Sequence, residues 1–144
     1  MTVTRALLAI AVLVGLLLAT SASAEELLII ANPSVNLTTP LTLNEIAAFY
    51  LLRATSWPDG RRIVPVNREP TSEVRTKFTV IVLRQDKASL VTYWNNMHFM
   101  GKLPPVVQES EQAMLAFIQK VPGSVGYISA STAPINVKVL ARVP

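Results

Sequence analysis

Apolar residues in this chain follow two patterns, short continuous runs and stripes at helical spacing. Continuous apolar runs that end at turn residues or near a terminus are typical of buried strands. Four such runs predict strands at residues 26–31, 63–66, 125–129 and 137–141. The segments between these runs carry the helical stripes.

Helices are predicted where apolar residues recur three and four positions apart, because such residues share one helix face. Thr42 and Glu45 form a capping-box pattern before the first helix. Ser110 is a candidate N-cap of the fourth helix, and Gly101 is a candidate end of the third. The four stripes comprise Leu43, Ile46, Ala47, Tyr50 and Leu51; Val74, Phe78, Ile81 and Val82; Leu90, Tyr93, Trp94 and Met97; and Met114, Phe117, Ile118 and Val121.

The alternation of these elements indicates an α/β fold. Their order is β-α-β-α-α-α-β-β, with residues 102–107 as a connector around Pro104 and Pro105. Short apolar strands interleaved with helices form a mixed sheet flanked by helices. The sequence contains no internal repeat and no low-complexity linker, so we predict one domain over residues 25–144.

The first 24 residues carry the pattern of an export signal. Arg5 supplies a basic start, residues 6–19 form an uncharged apolar core, and residues 22–24 are the small residues Ala-Ser-Ala. The apolar core is shorter than the roughly 20 residues that span a bilayer. An uncleaved anchor is the alternative. We predict a cleaved signal peptide at 1–24, a periplasmic location, and no stable membrane insertion.

The composition argues against several classes of function. Removing residues 1–24 from the 144 leaves 120 and takes away only Arg5, so 12 of the 13 basic residues remain against nine acidic ones. This small excess is spread along the chain, whereas nucleic-acid binding needs a dense basic face. The chain has no Cys and a single His, His98, which suits neither a metal site nor a Ser-His-Asp triad. We predict a non-enzymatic protein with no metal, no cofactor and no nucleic-acid partner.

Candidate chemistry lies in residues 57–78, which predict a turn, a strand, and a polar loop that opens a helix. Such a junction directs free backbone N–H groups and the positive end of a helix dipole at one point. Arg68, Thr71, Ser72 and the backbone of Val74 lie near that point and form a candidate oxyanion-binding site. In the alternative interpretation, Ser72 is only a helix cap and Arg68 only a solvated charge.

Three segments resemble the family of phosphate-type periplasmic substrate-binding proteins. Residues 57–68, WPDGRRIVPVNR, resemble a Trp-containing turn that leads to an apolar strand ending in Arg. Residues 41–57, LTLNEIAAFYLLRATSW, resemble the helix before that turn. Residues 117–129, FIQKVPGSVGYIS, resemble a late helix, turn and strand, and provide the most specific match. Order and spacing agree over residues 27–140.

The resemblance implies that this domain is one lobe of the type 2 periplasmic-binding-protein fold, which has two lobes in the full-length proteins. Arg68 and Ser72 match positions that contact the ligand in that family. The loop departs from the family's Ser-Asp-Gly-Ser-Gly-Thr, because Pro70 replaces the Asp and Glu73 replaces a Gly. A carboxylate at Glu73 would repel an anion or occupy the site itself, and the missing glycines limit the approach of the backbone to a ligand.

Two functions are compatible with these residues. The first is a periplasmic solute-binding-like protein, related to phosphate ABC transporter substrate-binding proteins, that binds a small phosphate-like oxyanion weakly. The second is an envelope interaction or assembly module that has lost its ligand. Arg68 and Ser72 favour the first function, and Glu73 favours the second. A partner protein or a second chain fits either one, since a single lobe offers half of a ligand site.

Overall fold

The computed structural model describes residues 25–144, which form a five-stranded mixed sheet with helices on both faces. The signal peptide predicted at 1–24 lies outside the described residues. The strands are β1 (Leu27–Ala31), β2 (Val64–Arg68), β3 (Val106–Gln108), β4 (Ser124–Ser129) and β5 (Lys138–Val143). Their order is β3-β2-β4-β1-β5, with β2 parallel to β3 and β4, and β1 antiparallel to β4 and β5. The predicted α/β fold with a mixed sheet is confirmed.

The described residues form four helices, and their predicted caps are present. The helices are α1 (Leu43–Tyr50), α2 (Glu73–Phe78), α3 (Lys87–Phe99) and α4 (Glu111–Lys120), and α2 continues into a π-helical turn at Thr79–Leu83. Thr42 and Glu45 form the reciprocal capping box before α1. Ser110 caps α4 by accepting the Ala113 amide at 2.9 Å. Gly101 follows α3 with φ of 74°, the left-handed conformation that ends many helices.

The sheet has an apolar core on each face, which explains why its strands read as continuous apolar runs. Side chains of β1 alternate between the two cores, with Ile29 on the side of α1 and α2, and Ile30 on the side of α4. Met114 and Ile118 of α4 are fully buried against the second face. Phe117, which lies between them in the predicted stripe, is only half-buried.

The sequence prediction missed β3, because the connector predicted over residues 102–107 ends in a strand that begins at Val106. A strand of three residues is too short to produce a detectable period. It lies at the edge of the sheet and pairs with β2 alone. Pro104 and Pro105 come directly before it, and a short strand next to proline is typical of a sheet edge.

Helix α3 is packed less tightly than its predicted stripe suggests. Of that stripe only Met97 is buried, while Tyr93 is half-buried and donates a hydrogen bond to the Leu51 carbonyl. At the end of the helix, Phe99 is 89% exposed and Met100 is 64% exposed. The carboxyl end of α3 therefore presents apolar side chains to solvent.

We predict very different costs for the same truncation at two phenylalanines. Phe78 is fully buried and stacks on Tyr127, with ring centroids 4.0 Å apart and planes within 5°. Phe78→Ala should lower the free energy of unfolding by about 3–5 kcal/mol, whereas Phe99→Ala should change it by less than about 0.5 kcal/mol. Chemical denaturation of the two variants measures both effects, and equal losses would contradict this assignment of the core.

Candidate functional site

Arg68 is the last residue of β2 and lies where three adjacent parallel strands, β3, β2 and β4, have their carboxyl ends. Ligands of open α/β sheets bind in this region. The residue is only 7% exposed, so its charge is largely removed from water. Its backbone amide donates to the Tyr127 hydroxyl at 3.1 Å. The strand therefore holds a buried guanidinium at the carboxyl ends of the parallel strands, where a ligand site is expected.

Two carboxylates compensate the Arg68 guanidinium. Glu69 accepts two hydrogen bonds from it, Nε to Oε2 at 2.9 Å and Nη2 to Oε1 at 3.1 Å. The Glu111 Oε1 atom lies 3.5 Å from Nη1, which has no hydrogen-bond partner in the described chain. The hydrogen bond from Arg68 lowers the pKa of Glu69 below its ordinary value, although burial opposes this shift. Glu69 is therefore ionised at neutral pH.

Glu111 is held in position by the end of β4 and the loop that follows. Its Oε1 atom accepts the Ser129 amide at 2.7 Å, and its Oε2 atom accepts the Thr132 hydroxyl. Glu111 is also the first residue of α4, where a carboxylate favours the helix dipole. Its contact with Arg68 could not be predicted from the sequence, because the helix dipole alone explains an acidic residue at this position.

The loop after β2 is closed by Ser72 and Arg75. Ser72 is buried and caps α2, accepting the Arg75 amide at 3.3 Å, while its own amide donates to the Glu69 carbonyl at 3.0 Å. The Arg75 side chain returns to donate from Nη1 to the Arg68 carbonyl at 2.6 Å. Ser72 therefore caps the helix, as the alternative interpretation of the sequence expects. The hydroxyl hydrogen is not used in the cap and is available for donation to another group.

The remaining predicted residues lie in the same loop but contribute less. Thr71 is exposed in the turn before the cap, and Val74 packs its half-buried side chain against the core. The Val74 amide belongs to the first turn of α2, whose N–H groups have no partner inside the helix. Glu73, expected to repel an anion or fill the site, is exposed, and the carboxylates beside Arg68 are those of Glu69 and Glu111.

The two glycines of the Pro-Gly-Ser-Val-Gly-Tyr segment have packing roles. A Cβ atom at Gly123 would lie 2.3 Å from the Arg62 carbonyl, and the Gly123 carbonyl accepts the Trp57 indole N–H at 2.9 Å. A Cβ atom at Gly126 would lie 2.4 Å from the Met114 sulfur. The first glycine joins β4 to the Trp57 turn, and the second lets α4 approach β4 closely.

Tyr127 connects this packing to the candidate site. Its hydroxyl accepts the Arg68 amide and donates to the Asn67 side-chain oxygen. Burial raises the pKa of Tyr127 far above its ordinary value, so the hydroxyl stays neutral. Its ring stacks on Phe78 at the end of α2. The end of β2, the strand β4 and the helix α2 are therefore joined through one side chain.

Residues 25–144 contain no group of three or more His, Asp or Glu side chains placed to hold a metal ion. His98 is exposed near the end of α3. None of the helices in this range is long and apolar enough to cross a membrane.

No family model and no curated protein matches the chain, but several solved structures share its fold. A Clostridium perfringens protein assigned to the phosphate ABC transporter substrate-binding proteins, solved with bound phosphate, superposes with a TM-score of 0.64 at 22% identity. An ABC-type phosphate transport receptor from Vibrio cholerae gives 0.64 at 21% identity, and PstS from Borrelia burgdorferi gives 0.63 at 16%.

Each match covers 81% of this chain but only 44%, 45% and 47% of the three proteins. The chain therefore spans about half of their length, which is the extent of one lobe. The TM-scores of 0.63–0.64 establish a common fold, and the first two of these proteins are named for phosphate transport. Residues 25–144 have the fold of one lobe of the phosphate ABC transporter substrate-binding proteins, to which this chain is structurally related.

Proposed function

We propose that residues 25–144 are a lobe of a periplasmic solute-binding protein and bind a small oxyanion weakly at Arg68. The observation that carries the proposal is the pair of hydrogen bonds from the Arg68 guanidinium to the Glu69 carboxylate. A carboxylate is itself an oxyanion, and guanidinium groups bind carboxylates and phosphates in this same bidentate arrangement. Glu69 thus acts as an internal ligand, which an incoming solute displaces.

Several donors lie in or next to the loop that contains Glu69. Arg68 Nη1 is buried and has no hydrogen-bond partner among the described residues. The Ser72 hydroxyl hydrogen, the Val74 amide and the exposed Thr71 hydroxyl lie in the same loop at the start of α2. In the proposed complex these groups bind the oxyanion together with Arg68.

The binding is expected to be weak for two reasons. The solute must displace a charge-assisted contact, and residues 25–144 by themselves enclose the solute from one side. Each charge-assisted hydrogen bond contributes about 1.5–3 kcal/mol, part of which replaces the lost Glu69 contact. We therefore expect a dissociation constant of about 0.1–10 mM, or −2.7 to −5.5 kcal/mol. A second chain or a partner protein that covers the site would tighten it.

The second candidate function, an envelope interaction module without a ligand, is favoured by Glu111. Because Glu69 and Glu111 both lie beside Arg68, and Arg75 reaches the Arg68 carbonyl, two positive charges face two negative charges. A solute anion approaching this cluster meets no net positive charge, and repulsion from Glu111 remains after Glu69 has moved. In this function the ion cluster serves only to stabilise the fold.

We predict that the mature protein begins at Glu25. The small residues Ala22 and Ala24 fit signal-peptidase cleavage, and the apolar segment before them is short for a membrane span. The intact mass of the protein released from the periplasm should correspond to residues 25–144. A mass that retains the first 24 residues, or recovery only with the membrane fraction, would contradict the assignment.

The oxyanion site is tested by titrating phosphate and sulfate while recording backbone amide NMR shifts. In the wild-type protein the shifts should cluster at Arg68 and at residues 71–74, with half-saturation in the millimolar range. Arg68→Lys keeps the positive charge but loses the bidentate hydrogen bonding, and should weaken binding at least tenfold. Arg142→Lys, on the exposed edge strand β5, is the matched control and should bind as the wild type does.

If no amide responds at tens of millimolar of either anion, the interaction module becomes the better function. Shifts that cluster elsewhere on the protein, or an Arg68→Lys variant with unchanged affinity, would show that the site is assigned to the wrong residues.

If Glu69 is an internal ligand, Glu69→Gln should have opposite effects on the stability of the fold and on the affinity for an anion. At neutral pH, Glu69→Gln should lower the free energy of unfolding by on the order of 1 kcal/mol, because a charged acceptor is replaced by a neutral one. It should raise sulfate affinity several-fold, because the competing charge is gone. Glu73→Gln removes the same charge at an exposed position and should have a smaller effect on both properties.

The stability difference should also depend on pH. The pKa of Glu69 is lowered in the folded state, so its contribution is present above the unfolded-state value, about 4.3. It is lost as the pH falls through the folded-state value. Denaturation curves of the wild type and Glu69→Gln should therefore converge as the pH drops below about 4. A gap that stays constant down to pH 2–3 would exclude the pairing with Arg68 as its source.

A further inference from the structure

An apolar groove lies at the opposite end of β2 from Arg68. It has a volume of about 660 Å³ and lies between the end of α1, the start of β2 and the connector from α3 to β3. Val64, which lines the groove, is four residues from Arg68 along the strand, or about 13 Å at the rise of a β-strand. The groove is therefore separate from the candidate oxyanion site.

The groove combines a buried apolar floor with exposed apolar walls. Phe49 and Ile63 line it and are buried, whereas Leu103 is 69% exposed and Val106 is 49% exposed. Five of the nine large apolar side chains that are exposed in the described chain fall within residues 99–107. Of these five, Leu103 and Val106 line the groove itself, and an exposed apolar wall over a buried apolar floor is typical of an interaction site.

The charges that line the groove are all positive. Arg62 and Lys102 are its only charged lining residues, and both are exposed. Neither makes an ion pair with any residue in the range 25–144. An occupant with carboxylates beside its apolar side chains would complement both the walls and these two charges.

We propose that this groove docks an extended segment of a partner protein in which apolar side chains are flanked by Asp or Glu. The partner's apolar side chains fill the concave floor, and its carboxylates pair with Arg62 and Lys102. The outer edge of β3 pairs with no strand of the described chain, so its backbone groups are available to a peptide. The interaction does not depend on oxyanion binding at Arg68.

A membrane surface is the competing occupant, and the shape of the site favours a peptide instead. A flat bilayer would contact the protruding Phe99 and Met100 but would not reach the groove floor at Phe49 and Ile63. Lipids also cannot pair with a free strand edge as a further strand, whereas a peptide backbone can hydrogen-bond to it. Pro104 and Pro105 lack N–H groups, so strand pairing would be confined to the short β3 and the groove would provide most of the contact.

The proposal is tested with a phage-displayed library of random 12-residue peptides. The purified wild-type protein serves as bait, and Leu103→Asp is used for counter-selection, since the exposed Leu103 can change without unfolding the protein. Selected peptides should be enriched in apolar residues and in Asp or Glu. One synthetic peptide from the selection should shift the backbone amides of residues 62–64 and 101–106 and leave those of residues 71–74 unchanged.

Charge reversal and a matched apolar control complete the test. Arg62→Glu combined with Lys102→Glu should weaken the selected peptide at least tenfold, whereas Lys120→Glu on α4 should not. Ile135→Asp has a similar exposure to Leu103 and should leave binding intact. The proposal is overturned if no peptide is selected, if the selected peptides lack acidic residues, or if Leu103→Asp binds them equally. Sedimentation with phosphatidylglycerol vesicles that is lost in Leu103→Asp, without peptide binding, would identify a membrane surface instead.

Discussion

The buried guanidinium of Arg68 is the constraint on which the candidate site depends. A charge that is removed from water is stable only when it is paired and hydrogen-bonded. Glu69 supplies two hydrogen bonds and Glu111 supplies a second negative charge. In the proposed complex, an external oxyanion would exchange one negatively charged partner of Arg68 for another, and the pairing that stabilises the fold would limit the affinity.

The position of Arg68 depends on packing contacts that lie away from its ion pairs. Gly126 allows α4 to lie directly on β4, which brings the Glu111 carboxylate at the start of α4 to the ends of the parallel strands. Tyr127, the next residue of β4, bonds to the Arg68 amide and stacks on Phe78. The glycine–tyrosine pair of the most specific sequence motif thus positions the site without belonging to it. Its presence indicates the fold and leaves the ligand undetermined.

Local sequence patterns predicted the elements of the fold, whereas tertiary contacts determined the site. The capping box at Thr42 and Glu45 and the cap at Ser110 each depend on residues within one helical turn, so the sequence was sufficient to find them. The short edge strand beginning at Val106 has no period to detect. The contact between Arg68 and Glu111 joins residues 43 positions apart and arises only when the sheet has formed.

The orientation of the two loop carboxylates also could not be predicted from the sequence. Glu69 and Glu73 flank the same loop, and only the structure shows that the first turns back onto Arg68 while the second faces solvent. The proposed replacement of Glu69 by an oxyanion on Arg68 is tested most directly by a crystal structure of the protein soaked in tungstate, through the anomalous signal of the metal. If the exchange occurs, a peak should lie within hydrogen-bonding distance of the Arg68 guanidinium, with the Glu69 side chain rotated away. An intact Arg68–Glu69 pair at saturating tungstate, with no peak beside it, would contradict the exchange.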